Sequence, residues 1–176
     1  MPGRVLNLGC GAGKIEGAIN VDFSEKVNPD LCFDVTKVFP LEDKSFDEVY
    51  FFHCIEHIEK WKHPFVFAEI HRILRLDGIL YISYPEFRET AKLWLDQKLD
   101  RKFIEATIFG RQAYPGDYHF CAMDSLEVRQ LLEDIGFKLI SQFSEPTQKF
   151  NSVLVAERLP RTISYEEVLY NEVFKQ

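Results

Sequence analysis

The chain has 176 residues, of which 46% are hydrophobic and 28% charged, a balance typical of a protein with one sizeable core. Its net charge of -7 argues against nonspecific binding to nucleic acid or to an anionic membrane, and favours a small-molecule or protein partner. The four cysteines lack C-x-x-C spacing and no run approaches about 20 apolar residues, so we expect a cytoplasmic protein without a membrane span.

Strand and helix patterns alternate along most of the chain, which predicts an α/β fold with a mainly parallel sheet. Near-continuous apolar runs in the middle of the chain are typical of strands that are buried on both faces. In chain order, the predicted strands cover residues 4–8, 18–22, 31–33, 47–52, 78–84, 137–141 and 152–156.

Two helices are indicated by the residues at their ends. One begins at Pro64, a residue suited to a first turn, and we expect Gly78 to stop it. The other begins at Asp124, with Glu127 completing a capping box and Gly136 as the C-terminal cap.

We predict a single domain over residues 1–176, in which two segments depart from the alternation of strands and helices. Residues 86–123 contain one plausible helix and then a loop of interleaved aromatic and polar residues. This segment follows the C-terminal end of the fifth strand, where ligands bind in open α/β sheets, so we interpret it as a substrate or lid insertion. Residues 160–176 form a tail whose apolar spacing predicts a last helix.

The most informative motif follows the first strand and has the spacing G-x-G-x-G. Gly9 and Gly11 allow a positive φ and a close approach of the backbone to a ligand. Asp22 ends the next strand, where a carboxylate can bind two ribose hydroxyls. Lys14 stands where a dinucleotide site needs glycine or alanine, and Ile15 stands where a P-loop needs serine or threonine. The motif therefore predicts a nucleoside site of another kind.

Five segments, two of which contain the residues just described, point to one family, because its motifs occur here in the family's order. They are L-N-L-G-C-G-A-G at 6–13, N-V-D at 20–22, F-P-L-E-D-K-S-F-D at 39–47, E-H at 56–57 and E-I-H-R-I-L-R-L-D-G-I-L at 69–80. By these segments the chain resembles the class I S-adenosylmethionine-dependent methyltransferases, most nearly the small type 11 methyltransferase-like domains. The resemblance implies a Rossmann-like, doubly wound sheet of seven strands in the order 3-2-1-4-5-7-6, with the last strand antiparallel.

The resemblance also implies which residues contact the cofactor, S-adenosylmethionine. These residues are Gly9, Gly11, Asp22, Asp34, Val35, Phe52 and His53. Asp22 would bind the ribose hydroxyls, although an aspartate there also suits a helix cap or a turn. Asp34 would lie near the adenine, although a turn alone would also favour an aspartate. Phe52 and His53 would border the sulfur that donates the methyl group.

One departure from the family lies directly after the glycine loop. Only residues 14–18 separate this loop from the second strand, which is fewer than the dozen or so residues of a usual parallel crossover. We therefore expect the first crossover helix to be shortened or missing. The wall that it would supply must come from residues 86–123 or from a partner subunit, for example in a homodimer.

Methyl transfer requires little acid–base chemistry, because the cofactor supplies the activated group. Where the acceptor must lose a proton, His53 and His119 are the predicted catalytic residues, since an imidazole titrates near neutral pH. His119 lies in the loop of the predicted substrate segment, whereas Glu56 and His57 are expected to form structural hydrogen bonds.

The sequence thus predicts S-adenosylmethionine-dependent methyl transfer to a small-molecule acceptor, with a glycan precursor as one candidate. A second hypothesis is a non-catalytic subunit that binds S-adenosylmethionine or another nucleoside. A remote third hypothesis is a zinc hydrolase, because His53, Glu56 and His57 spell H-x-x-E-H. That chemistry needs both histidines on one helix face, whereas His53 ends a predicted strand, so no metal ligands are predicted.

Overall fold

The computed structural model describes residues 3–114, 116–145 and 151–160. Its strands are β1 Val5–Leu8, β2 Ile19–Asp22, β3 Leu31–Cys32, β4 Phe46–Phe52, β5 Leu74–Pro85, β6 Phe137–Ser144 and β7 Asn151–Arg158. Its α-helices are α1 His63–Ile73, α2 Phe87–Leu95, α3 Arg101–Phe109 and α4 Ser125–Ile135. Within the described ranges, every helix is too short or too polar to cross a membrane.

The strands form one sheet in the order β3-β2-β1-β4-β5-β7-β6. Strands β1 to β5 pair in parallel, and β7 runs antiparallel to both of its neighbours. From β1 the chain winds first to the β3 edge and then back across β1 to the β6 edge. This confirms the predicted fold class, a Rossmann-like, doubly wound sheet with an antiparallel seventh strand.

The hydrophobic core lies on the face of the sheet that α1 and α4 cover. These two helices contact each other, and Phe67 of α1 packs edge-on against Phe51 of β4 with ring centroids 6.4 Å apart. Both phenylalanines and Leu80 of β5 are fully buried. On the opposite face of the same strands, Tyr50 and Tyr81 stack with their ring centroids 4.6 Å apart and are partly exposed.

The ends of α4 follow the sequence prediction. The carboxylate of Asp124 accepts a hydrogen bond from the backbone N of Leu126 at 2.9 Å, and Gly136 ends the helix with φ 109°. Glu127 does not complete the expected capping box, because its carboxylate forms an ion pair with Lys60 at 2.7 Å. The side chain therefore links α4 to the turn before α1.

The prediction that Gly78 stops α1 is wrong. The helix ends at Ile73 because Leu74 is already extended, with φ -68° and ψ 144°, and β5 begins there. Gly78 lies inside β5, where a Cβ would come within 2.8 Å of the carbonyl oxygen of Arg75. A close backbone contact within the strand, and not a helix end, therefore requires glycine at this position.

Residues 86–123 contain two helices where the sequence indicates one. The second, α3, begins after Asp100, whose carboxylate accepts a hydrogen bond from the backbone N of Phe103 at 2.7 Å. α2 and α3 pack against each other, and a loop over residues 110–123 leads back to α4. The predicted helix in the tail beyond residue 160 lies outside the described residues.

The first crossover helix is missing, because residues 9–18, all of them described, contain no helix. Asn7 of β1 and Asn20 of β2 face each other in the sheet, and the Nδ2 of Asn7 donates to the Oδ1 of Asn20 at 2.9 Å. Asn7 also donates to the carbonyl of Gly13, and Asn20 accepts from the backbone N of Ile15 at 2.8 Å. Two buried amides therefore hydrogen-bond to the backbone of a helix-free link.

An ion pair within α1, between the buried Glu69 and the partly buried Arg72, connects this helix to the segment before β4. Glu69 is fully buried, and its carboxylate accepts hydrogen bonds from Arg72 at 2.7 and 2.8 Å and from the backbone N of Phe39 at 2.6 Å. Arg72 also donates to the carbonyls of Phe39 and Leu41 and pairs with the exposed Asp43 at 2.7 Å. The hydrogen bonds with Glu69 raise the pKa of Arg72. Two of the family-like segments are therefore joined by this network.

Asn20→Ala removes the amide that bridges β1, the link and β2. We expect the free energy of unfolding to fall by about 2–4 kcal/mol, because more than one buried polar group loses its partner. Urea unfolding measures this loss. Gln130→Ala is the control, since it removes an amide hydrogen bond to Asp134 on the surface of α4 and should cost less than about 0.5 kcal/mol. Equal losses in the two variants would contradict the bridging role of Asn20.

Glu69→Gln and Asp43→Asn each remove one carboxylate from the same arginine. We expect Glu69→Gln to lower the free energy of unfolding by about 3 kcal/mol, because it leaves the partly buried Arg72 without its buried counter-charge. Asp43→Asn should cost less than about 1 kcal/mol, because that ion pair is exposed. The midpoints of urea unfolding test the difference, and a larger effect at position 43 would refute it.

Candidate functional site

The glycine loop and Asp22 form one unit at the C-terminal ends of β1 and β2. Gly9 and Gly11 take left-handed conformations, with φ 65° and 49°. The backbone N of Gly11 donates to the Oδ2 of Asp22, and that of Ser24 donates to the Oδ1, both at 2.9 Å. Asp22 is only 7% exposed, but each carboxylate oxygen keeps a second lone pair for a ligand.

The two glycines are needed for different reasons. A Cβ on Gly9 would collide with the Sγ of Cys54 and lie 2.9 Å from its Cβ, so glycine lets the loop touch the chain that follows β4. A Cβ on Gly11 would meet no atom within 4 Å, so open space lies in front of the loop. β1 and β4 are neighbours at the point where the winding of the sheet reverses, the usual ligand site of open α/β sheets.

Three other residues that are predicted to contact the cofactor, Asp34, Val35 and Phe52, lie near this edge of the sheet. They differ in how far their side chains are exposed. Asp34 is exposed, and its Oδ1 accepts a hydrogen bond from the backbone N of Thr36 at 2.8 Å, which forms an aspartate turn. Val35 is 9% exposed and packs into the core, so a ligand can reach it only through its backbone. Phe52 is 36% exposed at the end of β4, with its ring edge-on to Tyr50.

Negative charge converges on Cys54, which follows His53. Burial raises the pKa of the Cys54 thiol, and the carboxylates of Glu56, Asp22 and Asp34 raise it further. These three carboxylates come from different parts of the chain and act on one point beside the glycine loop. These carboxylates make the surroundings of the Cys54 thiol locally negative.

His53 lies between two carboxylates. It follows β4 with φ 48°, and its Nδ1 and Nε2 lie 3.4 Å and 3.0 Å from carboxylate oxygens of Glu56 and Glu145. Burial lowers the pKa of His53, but the hydrogen bonds and charges of Glu56 and Glu145 outweigh it, so the pKa is raised overall. The two carboxylates therefore make His53 easier to protonate than an isolated histidine, and both of its ring nitrogens face carboxylates.

His57 and His119 meet edge-on beside Glu56, with ring centroids 4.7 Å apart. The Nδ1 of His57 lies 2.9 Å from the carbonyl of Tyr118, and that of His119 lies 2.8 Å from the carbonyl of Thr107. A carbonyl can only accept, so each Nδ1 carries a hydrogen and each Nε2 is left as an acceptor in the neutral ring. Burial lowers the pKa of His119, which favours that neutral form.

The loop that carries His119 is anchored at both of its sides. Asp117 is 4% exposed, and its backbone packs so closely on Gly110 that a Cβ there would collide with it. Gly110 takes φ 77°, which favours glycine for a second reason. The backbone N of Phe120 donates to the carbonyl of Glu56 at 2.8 Å, so the loop is joined to the turn after β4.

A cleft of about 520 Å³ opens between these groups. Both predicted catalytic histidines, His53 and His119, line it, so the structure brings them to one place. Helix α3, which the sequence analysis missed, supplies one wall through Phe103, Ala106 and Thr107. The cleft is thus built from the end of β4, from α3 and from the loop after it.

A family model described as a methyltransferase domain matches residues 1–142. The chain belongs to this methyltransferase domain family. The matched residues include the glycine loop, Asp22 and the three histidines of the cleft, His53, His57 and His119. No curated protein sequence matches the chain.

Solved structures share the fold of this methyltransferase domain. A S-adenosylmethionine-dependent methyltransferase from Methanosarcina mazei is 17% identical, with a TM-score of 0.66 over 90% of this chain and 93% of its own. A protein from Pyrococcus horikoshii OT3 is 21% identical, with a TM-score of 0.64 over 90% and 82%. The 1,6-didemethyltoxoflavin-N1-methyltransferase of Burkholderia thailandensis, solved with S-adenosylhomocysteine, is 18% identical, with a TM-score of 0.60 over 90% and 72%. At these identities the likeness concerns the fold.

The H-x-x-E-H hypothesis fails on geometry. Residues 55–57 form a single 3-10 turn, and His53 lies before it at the end of β4 with a left-handed backbone. His53 and His57 therefore do not lie one turn apart on an α-helix, as that kind of zinc site requires.

Sequence reasoning missed two residues of the site, Glu145 and Asn151. Asn151 begins β7, and its Nδ2 donates to the carboxylate of Glu145 at 2.9 Å and lies 3.3 Å from the Nε2 of His53. Both residues reach His53 because β7 pairs with β5, which in turn lies beside β4. The only local signal is a polar residue at a strand end, which is too common to identify a site.

Gly9→Ala should destabilise the protein more than Gly17→Ala. Both sites have positive φ, at a cost of about 1–2 kcal/mol for alanine, but only at Gly9 would the new Cβ collide with a neighbour, at about 1–3 kcal/mol more. Urea unfolding compares the two variants. The extra cost should shrink when Gly9→Ala is made in a Cys54→Ala background. An extra cost that stays the same in that background would show that the contact with the Sγ of Cys54 is not its cause.

Proposed function

We propose that this protein transfers a methyl group from S-adenosylmethionine to a small-molecule acceptor. The observation that carries the proposal is the meeting of Gly11, Asp22 and the end of β4 around open space at the switch point of the sheet. Membership of the methyltransferase domain family supports the same reaction.

The residues at this place fit the cofactor in three respects. The carboxylate of Asp22 keeps lone pairs that can accept hydrogen bonds from the ribose hydroxyls. The space in front of Gly11 is free of protein atoms, so the methionine part can lie against the backbone. The negative charge around Cys54 suits a sulfonium cation. When bound, the cofactor supplies an activated methyl group.

The other predicted contacts complete the proposed cofactor site. Asp34 and the backbone of Val35 follow β3 and would border the adenine. Phe52 and His53 end β4 and would lie on the side of the sulfur. Their roles stay predictions, as does that of Gly9, whose contact with Cys54 gives it a structural role as well.

The proposed acceptor site is the cleft that His53 and His119 line. Its volume of about 520 Å³ suits a small molecule, since ligand pockets commonly measure about 300–1,000 Å³. α3 and the loop over residues 110–123 form its wall, so the segment 86–123 would select the acceptor. Holding the acceptor in line with the methyl group can supply about 7–11 kcal/mol in favourable cases. A glycan precursor stays one candidate acceptor.

The two histidines are suited to different tasks. His119 is favoured in its neutral form with Nε2 as an acceptor, so it can take a proton from an acceptor that carries one. Both ring nitrogens of His53 already face carboxylates, so we infer that it is suited to positioning and not to taking a proton from the acceptor.

A second candidate function is a non-catalytic subunit that binds S-adenosylmethionine. The missing crossover helix favours it, because the space in front of Gly11 lacks the wall that a helix between β1 and β2 would supply. A partner, for example a second copy in a homodimer, would then close the site.

Calorimetric titration with S-adenosylmethionine and S-adenosylhomocysteine tests the cofactor site. We expect the wild-type protein to bind both, and Asp22→Ala to weaken binding about 10- to 100-fold through the loss of charged hydrogen bonds. Asp96→Ala is the control, because it removes an exposed carboxylate that pairs with Lys98 after α2. No binding by the wild-type protein at millimolar ligand would contradict the proposal.

Formation of S-adenosylhomocysteine across a panel of small-molecule acceptors tests turnover. With any acceptor that reacts through a protonated nucleophile, His119→Gln should lower kcat and leave the affinity for S-adenosylmethionine unchanged, because the ring acts on the acceptor. Cofactor binding without turnover on the whole panel would favour the non-catalytic subunit.

A further inference from the structure

Glu56 has an unexplained feature for a buried acid. It is 2% exposed, and among the described residues its Oε2 has no hydrogen-bond partner, while its Oε1 lies 3.4 Å from His53. A buried carboxylate oxygen without a partner is unfavourable unless a ligand or an ion satisfies it. The orphan oxygen therefore points to a missing partner at this place.

Two imidazoles converge on the same carboxylate. One ligand atom each of Glu56, His57 and His119 lies within 4.8 Å of the other two. The Nδ1 atoms of both rings donate to backbone carbonyls, of Tyr118 and Thr107, which orients the rings and leaves each Nε2 as a possible ligand. Such an outer hydrogen bond from the second ring nitrogen is the usual companion of a histidine that binds a metal ion.

We propose that Glu56, His57 and His119 bind one divalent transition-metal ion, for which Zn²⁺ is the best match. Two imidazoles and one carboxylate are a ligand set of zinc sites that keep an open position, whereas Mg²⁺ and Ca²⁺ prefer oxygen ligands throughout. The ion would give the orphan oxygen of Glu56 its partner and would balance its buried charge.

The geometry requires only small side-chain movements. Ligand atoms about 2.0–2.2 Å from a tetrahedral zinc ion lie about 3.4 Å apart, so the three groups would close in on the ion from their spacing of up to 4.8 Å. The backbone around them is fixed, because Phe120 is hydrogen-bonded to Glu56 and Asp117 braces the loop. His53 stays outside the set, since its two ring nitrogens already face Glu56 and Glu145.

The fourth position of the ion would face the cleft, because all three ligands line it. A methyl acceptor with an oxygen or nitrogen atom that can bind a metal ion would occupy this position. This step rests on the proposed function, whereas metal binding itself does not. With the ion present, the Nε2 of His119 would bind the metal, and the metal would contact the acceptor. Without the ion, the same Nε2 would take the proton from the acceptor directly. Chelation of the metal during turnover separates these two roles.

The test is zinc binding by untagged, metal-stripped protein in the absence of S-adenosylmethionine. We expect one Zn²⁺ per chain in a competition assay with a chromophoric chelator, a Zn²⁺-dependent rise in Tm, and no such rise with Mg²⁺. Replacing bound Zn²⁺ by Co²⁺ should give the intense visible absorption of a four-coordinate site. No saturable binding by the wild-type protein would overturn the proposal, whatever the result of the cofactor titration.

Three variants locate the ion. Glu56→Gln and His119→Gln should each weaken Zn²⁺ binding by at least about 100-fold, because even outer-shell changes cost 10- to 100-fold. His53→Gln removes an outer partner of Glu56 and should weaken Zn²⁺ binding by only about 10-fold, well short of the loss of a ligand, which separates this site from the H-x-x-E-H arrangement. Glu59→Gln is the control for Glu56→Gln, because Glu59 pairs with Lys62 nearby on the chain. Binding that depends on His53 and not on His119 would overturn the assignment.

Discussion

The hydrogen bond between Asn7 and Asn20 is the constraint on which the ligand-binding edge of the sheet depends. β1 and β2 run in parallel, and a chain that joins parallel strands usually needs a helix to return. Here the return is a short, largely exposed and irregular link, and the two asparagines hydrogen-bond to the carbonyl of Gly13 and the backbone N of Ile15 within it. In a helix the backbone groups would hydrogen-bond to one another, whereas here the paired asparagines provide such hydrogen bonds to the link. Gly11 is thereby kept within reach of Asp22. The hydrogen bond between Gly11 and Asp22 thus forms next to a link in which two amides take the place of a helix.

The fold was largely predictable because its strands are marked locally. Apolar runs of the right length between turn residues identify strands without knowledge of their neighbours, and the family resemblance supplied their order. Errors arose where a residue type has more than one use. Gly78 looks like a helix stop, but a close contact inside β5 requires it. α3 was missed because its nine residues are too short a window for a clear helical period, although Asp100 is a recognisable N-terminal cap.

The candidate site was predictable only in part, because its residues meet through the sheet and not along the chain. Gly11 and Asp22 belong to a compact motif, and the structure joins them by a direct hydrogen bond. By contrast, Glu145 and Asn151 reach His53 through the pairing of β5 with β7, which no local pattern reveals. The burial of Glu56 is likewise a product of packing, and it changes a glutamate in a common turn into a group that needs a partner.

The hydrogen bond between Phe120 and Glu56 has a consequence for how such a domain can diversify. It joins the loop and α3 to the end of β4 through main-chain atoms, so the attachment is independent of side-chain identity. The residues of α3 that line the cleft, Phe103, Ala106 and Thr107, are thus free to change in size and polarity while the framework behind them stays in place. Under the proposed function, new acceptor preferences can arise by substitution in one short helix, and a directed-evolution library confined to these three positions would explore them with little loss of folded protein.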